Sequence, residues 1–354
     1  MKEITILLTG AGAPGAPSII KCYRKNGERN VRIVGVDANP MANGRRLVDA
    51  FYQVPAASDD GFIDAVLDVC RKERVQVVVP IVTRELMKFA QAKSLFASLG
   101  VLVSVTDAQV LGIINNKAHL LLKMKELGLP VPSFIPCKTI DEIQNACKEL
   151  GYPERPVVVK GAEGNGSRGV RIVDARKSMY DLFFNEKPTS MYMSYHDVMN
   201  ALSERELLPE MLVMEYLPGQ EYGVDALCDH GKVIVAAGRY NNVVTSSIPQ
   251  GCVIEYRREP IGVAIQIIEK LKIDGNVNFD FKYDSSGKAQ LIEINPRLSA
   301  TITAYAPRGV NLPYLRIKQL LGEALPELKT NDGVVMQRRY SEVFFDKNGE
   351  EIAW

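Results

Sequence analysis

The sequence predicts a mixed α/β and α+β protein that begins with a parallel sheet and continues into two further lobes. Four short apolar runs between residues 4 and 105 are rich in β-branched residues and are separated by stretches of helical length: ITILLTG, VRIVGVD, VQVVVPIV and VLVSV. Runs without polar alternation are typical of strands that are covered on both faces, as in a parallel sheet with crossover helices. The predicted first lobe, residues 1–110, is therefore Rossmann-like.

The elements of this first lobe include one clear crossover helix. Residues 60–73 carry apolar side chains at helical spacing and lie between the second and third apolar runs. A further helix is predicted at residues 116–127, because it ends at Gly128 and prolines follow at positions 130 and 132. We expect a lobe boundary close to this helix.

The second lobe, residues 111–212, contains a predicted hairpin. A helix near residues 141–150 precedes the strand PVVVK at 156–160, a glycine-rich turn, and the strand GVRIV at 169–173. Residues 176–210 predict one or two helices after an irregular loop.

The third lobe, residues 213–330, is predicted to be a largely antiparallel sheet with flanking helices, and residues 331–354 form a C-terminal strand or tail. Its strands are read from MLVMEYL, EYGVDALC, KVIVAAGRY, NVNFDFKYD and AQLIEINP. The turn Asp284-Ser285-Ser286-Gly287 joins the last two strands into a second hairpin.

The composition is that of an ordinary globular enzyme. Hydrophobic residues make up 46% and charged residues 24% of the 354 residues, with a formal net charge of +1. This balance predicts neither a nucleic-acid partner nor disorder. The six cysteines are scattered without a zinc-binding pattern. Glycine and proline interrupt the apolar N-terminal run too early for a secretory segment or a membrane span, so a cytoplasmic protein without membrane contact is expected.

A glycine-rich turn follows the first predicted strand. Residues 10–15, GAGAPG, fit the pattern G-x-G-x-x-G, and Asp37 closes the next strand at the spacing of a ribose-binding acid. Taken alone, the pattern predicts an NAD(P)-dependent oxidoreductase. The other interpretation is a tight turn that binds no cofactor, because Pro14 and Pro17 remove amide donors and no hydride-transfer dyad follows.

The strongest chemical signal lies in the hairpin of the third lobe. Alternate residues of a strand share a face, so Glu293, Asn295 and Arg297 in LIEINPR project together. Asp280 in NFDF lies on the partner strand and can face them. Three oxygen donors beside a guanidinium suit magnesium ions that bridge the phosphates of ATP.

Two lysines are ambiguous when each is taken alone. Lys160 ends a strand next to a loop with four glycines, where it could contact phosphate oxygens while backbone amides close over them. The loop is no P-loop, since no Gly-Lys-Ser/Thr follows, and a flexible turn is the alternative interpretation. Lys117 opens its predicted helix, a position where most lysines are solvated.

A nucleotide base has a candidate site in the segment Met214-Glu215-Tyr216-Leu217-Pro218-Gly219. This strand runs into a turn, where backbone groups could meet an adenine edge between apolar walls. Glu221 follows at a position that could take the ribose hydroxyls. The alternative for Glu221 is an exposed acid on a strand face.

The sequence resembles the ATP-grasp superfamily, and within it the branch that is similar to half of a carbamoyl-phosphate synthetase large subunit. The motifs that carry the resemblance, taken together and in this order, are Lys117, Lys160 with its glycines, MEYLPGQEY, NFDF and EINPR. The resemblance covers nearly the whole chain and implies a two-lobed ATP-grasp fold behind the Rossmann-like sheet. It also implies a dimer through the first lobe.

The resemblance assigns an expected role to each matching position. Lys117 and Lys160 would contact the ATP phosphates, and the glycine loop, residues 163–169, would close over them with Glu163, Gly164, Gly166, Ser167 and Gly169. Glu215, Tyr216 and Leu217 would form the adenine hinge, with Glu221 on the ribose. Asp280, Glu293 and Asn295 would hold two Mg²⁺ ions, with Mn²⁺ as a substitute. The catalytic candidates are Arg297 and Lys160, followed by Arg239 and Arg308 as contacts for phosphate or a substrate carboxylate.

The resemblance implies an ATP-dependent ligase that activates a small-molecule or peptide carboxylate as an acyl phosphate and couples it to an amine. One departure affects the acceptor pocket: residues 298–303, LSATIT, stand where that branch commonly has glycines. A single ATP module without a glutaminase does not suit carbamoyl phosphate synthesis, which needs two phosphorylations. The alternatives are the NAD(P)-dependent oxidoreductase and a non-catalytic ATP-binding regulator.

Overall fold

The structure is a computed structural model that describes residues 1–164, 168–187, 190–245, 248–329, 332–339, 342–347 and 350–352. Its first lobe is a five-stranded sheet in the order β3-β2-β1-β4-β5, and every neighbouring pair is parallel. The elements are β1 Ile4–Thr9, α1 Ala16–Arg24, β2 Val31–Asp37, β3 Ala50–Gln53, α2 Phe62–Glu73, β4 Val77–Val79, α3 Thr83–Gln91, α4 Lys93–Ser98 and β5 Leu102–Val103. The predicted Rossmann-like lobe is confirmed.

The second lobe carries a four-stranded antiparallel sheet in the order β6-β9-β7-β8. Its elements are α5 Ala108–Ile114, α6 Lys117–Glu126, β6 Phe134–Cys137, α7 Ile140–Glu149, β7 Val157–Gly161, β8 Val170–Val173, α8 Met179–Asn185, α9 Tyr195–Ser203 and β9 Met211–Glu215. Local chemistry explains the helix starts: the Asn116 side chain accepts from the amides of Ala118 and His119, and Thr139 and Glu142 form a capping box. Strand β9 spans the predicted boundary at residue 212 and pairs with β6 and β7.

The third lobe is a six-stranded sheet in the order β14-β13-β10-β11-β12-β15, and its neighbouring strands are antiparallel. Its elements are β10 Glu221–Asp229, β11 Lys232–Thr245, β12 Ile248–Ile254, α10 Arg258–Leu271, β13 Gly275–Tyr283, β14 Ala289–Asn295, a 3-10 helix Ile302–Arg308, α11 Leu312–Leu320 and β15 Val335–Gln337. A short ribbon of β16 Phe344–Phe345 and β17 Glu351–Ile352 follows.

The first and third lobes share their hydrophobic packing with α5 and α6, whereas the sheet of the second lobe has a core of its own. Buried residues of β1 and β2 belong to the same clusters as residues of α10, β13 and α11. A separate cluster joins α7, α9 and the sheet of the second lobe. Lys318 of α11 donates to both carboxylate oxygens of Glu28, which adds a polar clamp between the first and third lobes. Among the helices described, none has both the length and the apolar character needed to span a membrane.

Candidate functional site

The β13–β14 hairpin brings the three predicted magnesium ligands together. Asp280 lies opposite Glu293 in the antiparallel register, and Asn278 lies opposite Asn295. The Asn295 amide donates to Asp280 Oδ2 at 3.0 Å, and Arg297 Nη2 donates to Asn295 Oδ1 at 3.3 Å. The strand alternation therefore produces one polar cluster on one face of the hairpin.

The electrostatics of this cluster favour a cation. The pKa of Asp280 is raised to about 7, mainly by burial and next by the Glu293 carboxylate, while Arg239 opposes both effects. Two carboxylates and an amide oxygen are the hard donors that Mg²⁺ prefers. The donor set fits a divalent cation, whose charge would relieve the repulsion between Asp280 and Glu293.

Two lysines flank the carboxylates from the second lobe. Lys117 opens α6, where its Nζ lies 3.3 Å from Glu293 Oε1 and donates to the carbonyl oxygen of Gly164 at 2.9 Å. Lys160 lies near the end of β7, and burial lowers its pKa to about 8 although Glu293 acts in the opposite direction. Both cations thus lie beside the acidic hairpin, although residue 117 is more than 170 positions away in sequence.

A pocket between the second and third lobes joins an apolar slot to this charged end. Val158 and Lys160 share one face of β7, and Val170 and Ile172 share one face of the paired strand β8. Among the described residues, the lining is Lys117, Val158, Lys160, Gly161, Glu163, Gly164, Arg168, Val170, Ile172, Met191, Met214, Glu215, Tyr216, Leu217, Glu221, Lys282, Ile292 and Glu293. An apolar slot that ends in lysines and carboxylates suits a nucleotide, with its base in the slot and its phosphates at the charged end.

Most of the residues expected to bind ATP line this pocket. They are Lys117, Lys160, Glu163, Gly164, Glu215, Tyr216, Leu217 and Glu221. The carboxylate of Glu215 is already engaged, because its Oε1 accepts from the Ser133 amide at 2.7 Å. Gly169 lies at the base of the glycine loop, where its carbonyl oxygen accepts from the Gly161 amide. Gly166 and Ser167 lie outside the described residues.

Several lining residues were not predicted from the sequence. Lys282 lies two positions after Asp280 on β13, with its Nζ 5.5 Å from the centre of the Tyr216 ring and 4.0 Å from Glu221 Oε1. The same alternation that groups the hairpin acids could have identified it. Met191 carries no such signal, because it enters the pocket from the irregular segment before α9.

Arg239 lies in a buried network beneath the acidic hairpin. Its Nε donates to Asp225 Oδ2 at 3.1 Å, and Tyr305 donates to the same oxygen at 2.9 Å. Gly223 pairs with Arg239 on one side and with Asp280 on the other. A Cβ atom at position 223 would lie 2.8 Å from Arg239 Nη1, so glycine lets the guanidinium lie across β10 beside Asp280.

Arg308 occupies a different environment from the other catalytic candidates. It is exposed at the end of the 3-10 helix Ile302–Arg308 and is not among the residues that line the pocket. Its expected contact with phosphate or a substrate carboxylate stays a prediction.

The glycine turn at residues 10–15 is held by the side chain of Asp37 at the end of β2. The two oxygens of Asp37, the residue expected to bind ribose in a dehydrogenase, accept from the amides of Gly12 and Asn39 at 2.8 Å each. Gly10 has a positive φ of 59°, and a Cβ atom at Gly15 would lie 3.2 Å from the Ala300 Cα. The turn therefore packs tightly against the loop that follows β14.

A second group of potential metal ligands lies at the far end of β10. Asp229, His230 and Asp274 have ligand atoms within 4.8 Å of one another. Asp274 already forms two hydrogen bonds with the Arg316 guanidinium, at 3.1 and 2.7 Å. The remaining two residues are exposed, so this group is an ion-paired surface cluster.

Comparison with protein families agrees with this architecture. Residues 6–104 match a family model described as PylC-like, N-terminal domain, and residues 207–341 match one described as ATP-grasp in the biosynthetic pathway with Ter operon. These two segments are therefore similar to a PylC-like N-terminal domain and to an ATP-grasp domain.

Solved structures share the whole fold at low sequence identity. The biotin carboxylase domain of 2-oxoglutarate carboxylase from Hydrogenobacter thermophilus is 18% identical, with a TM-score of 0.66 over 91% of this chain and 70% of that one. The PurK N5-carboxyaminoimidazole ribonucleotide synthetase is 17% identical, with a TM-score of 0.64 over 95% and 81%. The L-amino acid ligase from Bacillus licheniformis is 16% identical, with a TM-score of 0.62 over 91% and 74%. The protein has the ATP-grasp fold.

Proposed function

We propose that this protein is an ATP- and Mg²⁺-dependent ligase that converts a substrate carboxylate into an acyl phosphate and couples it to an amine. The observation that carries the proposal is the pairing of Asp280 with Glu293 across the hairpin, with Lys117 3.3 Å from Glu293 and a pocket beside them that joins an apolar slot to this charged end. The fold is shared with an L-amino acid ligase, with a PurK synthetase solved with ADP and with a biotin carboxylase domain solved with MgADP and bicarbonate.

The chain's own residues divide the work of the first step. The apolar slot holds the base, Glu221 reaches the ribose, and Lys117 and Lys160 neutralise the phosphate chain. Asp280, Glu293 and Asn295 would hold two magnesium ions, which supply charge neutralisation as the terminal phosphoryl group leaves ADP. Arg297, half-buried and next to Asn295, orients the oxygens of the transferred group.

The reaction then proceeds without a covalent enzyme intermediate. A carboxylate oxygen of the substrate attacks the γ-phosphorus of ATP, and the bond between that phosphorus and the ADP oxygen breaks. The amine attacks the acyl carbon, a C–N bond forms, and the C–O bond to phosphate breaks. Positioning and electrostatics provide the rate enhancement, so this chemistry requires no nucleophilic side chain.

The test is to incubate the protein with Mg-ATP, pools of amino acids and small dicarboxylates, and hydroxylamine, which traps acyl phosphates as hydroxamates. ADP and hydroxamate are measured together. We expect Glu293→Gln to lower both by about 100-fold or more, because a metal ligand is lost. The matched control is Glu126→Gln, at an exposed acid paired with Lys123, which should leave both unchanged. Tight ATP binding without ADP formation from any pool would refute the ligase and favour a nucleotide-binding regulator.

Assembly and location belong to the same proposal. We propose a cytoplasmic homodimer formed through the first lobe. The structural relative from Hydrogenobacter thermophilus, whose solved form is a dimer, supports the assembly. Sedimentation equilibrium would decide it, and a monomer at micromolar concentration would refute it.

A further inference from the structure

A buried acid at the edge of the first-lobe sheet has no cationic partner among the described residues. Glu85 lies in the first turn of α3, directly after β4, with 8% of its surface exposed. Its Oε2 accepts a hydrogen bond from the Thr9 hydroxyl at the end of β1, and Oε1 has no partner in the described part of the chain. Burying a carboxylate without a cation is costly, and such acids are concentrated at functional sites.

The position of Glu85 is that of a ligand-binding residue. In open parallel sheets, ligands bind outside the carboxyl ends of the strands. Thr9 and Glu85 lie at that edge, after β1 and β4, and Thr9 is itself held by the Ile81 amide at 3.3 Å. The acid is therefore fixed by the sheet and is not carried on a flexible loop.

The same edge faces the ATP-grasp site at two contacts. Arg297 Nε donates to the Thr83 hydroxyl at 3.1 Å. Thr83 and Glu85 both lie in the first turn of α3, and one helical turn spans about 5.4 Å along the helix axis. Gly15 packs against Ala300, three positions after Arg297. Arg297 therefore contacts α3 in the turn that carries Glu85, at the same edge of the first-lobe sheet.

We propose that Glu85 is the catalytic residue that binds the ammonium group of the amine substrate and removes its proton. The proposal rests on the ligase function proposed above. It identifies the second substrate as an amine that binds in its protonated form and is recognised by a buried carboxylate. Among the described residues at this edge of the sheet, Glu85 is the buried carboxylate that has one oxygen without a hydrogen-bond partner.

The charges around Glu85 suit a proton acceptor. The pKa of Glu85 is raised to about 7, mainly by burial; the Thr9 hydrogen bond opposes the rise, and the negative charge of Asp37 on β2 contributes to it. Asp37 has both oxygens engaged by backbone amides, and Arg297 approaches from the third lobe through Thr83. A general base is most effective when its pKa lies near the working pH.

The proton balance closes with these groups. The ammonium group gives one proton to the Glu85 carboxylate and becomes a neutral amine. Its nitrogen lone pair forms the C–N bond as the C–O bond to phosphate breaks and its electron pair goes to phosphate. The excess proton on nitrogen passes to the departing phosphate, and Glu85 returns its proton to water.

The decisive experiment compares two nucleophiles in the Glu85→Gln variant of the full chain. Hydroxylamine is largely uncharged at pH 7 and needs no base, whereas an amino acid amine is protonated. We expect Glu85→Gln to keep ADP and hydroxamate formation and to lose coupling to amines by about 100-fold. In the wild type the amine reaction should rise with pH through about pH 7, and the variant should lack this inflection.

A second variant keeps the test decisive if Glu85→Gln does not fold. Thr9→Val has nearly the same shape but removes the hydrogen bond that stabilises the charged carboxylate, so the inflection should move to higher pH. Unchanged amine coupling in Glu85→Gln, or an unmoved inflection in Thr9→Val, would refute the role of Glu85. A wild-type protein that forms no hydroxamate from any carboxylate pool would refute the proposed function itself.

Discussion

Replacing Lys160 by methionine should stabilise the nucleotide-free protein while removing its activity. In the folded chain the pKa of Lys160 falls from 10.5 to about 8, mainly because the side chain is buried. At about 1.4 kcal/mol per pKa unit, holding the charged ammonium in the folded state costs about 3 kcal/mol. Methionine keeps the apolar stem without the charge, so Lys160→Met should recover up to that amount at pH 7.

The sign of the pH dependence follows from the lowered pKa. Below pH 8 Lys160 is charged in both the folded and the unfolded chain, so the cost is complete. It disappears as the pH rises from about 8 to 10.5, because the folded form then loses its proton first. The stability gap between variant and wild type should therefore narrow over this range.

The assay is thermal unfolding without nucleotide at pH 7 and pH 10, followed by ADP formation at pH 7. At about 2–4 °C per kcal/mol, Lys160→Met should raise the midpoint by several degrees at pH 7. The control is Lys123→Met, at a lysine paired with Glu126 on the surface of α6, which should change little. A destabilised Lys160→Met protein, or one that still forms ADP at the wild-type rate, would contradict the position assigned to this lysine.

Two further substitutions test the hairpin and the network beneath it. Asp280→Asn should stabilise the metal-free protein at pH 8 and abolish Mg-ATP turnover. Because the pKa of Asp280 is raised to about 7, this gain in the free energy of unfolding should vanish as the pH falls from 7 towards 4. Urea unfolding at several pH values would measure it. Gly223→Ala should lower the free energy of unfolding by up to about 3 kcal/mol and reduce kcat, because the new Cβ atom displaces Arg239 from Asp225. The control is Gly112→Ala in α5, where a Cβ atom meets nothing within 4 Å. This substitution should stabilise the protein by about 0.5–1 kcal/mol. Equal effects of the two substitutions on the free energy of unfolding would contradict the packing of Arg239.

Sequence patterns predicted the strands with strong local signals and missed those without them. The apolar runs of β1, β2 and β4 and the hairpins β7–β8 and β13–β14 are all present, and the helices α8 and α9 lie within residues 176–210. Strand β3 was not predicted, because AFYQ is an edge strand with partly exposed side chains. Strand β12 was also missed, since Pro249 and Gly251 interrupt a run that is stabilised by its partners β11 and β15.

By itself the sequence determined that Asp280 and Glu293 would face each other, because two-residue alternation and a short turn place side chains without help from distant parts of the chain. Only the tertiary structure decided which distant residues join them. Lys117 reaches Glu293 because α6 packs beside the hairpin, and Arg239 lies beside Asp280 because Gly223 leaves space between their strands. Thr83 of the first lobe contacts Arg297 although the two residues are 214 positions apart in sequence. Such contacts depend on how lobes pack, and packing is set by shape and burial summed over the whole chain, so no local pattern records them.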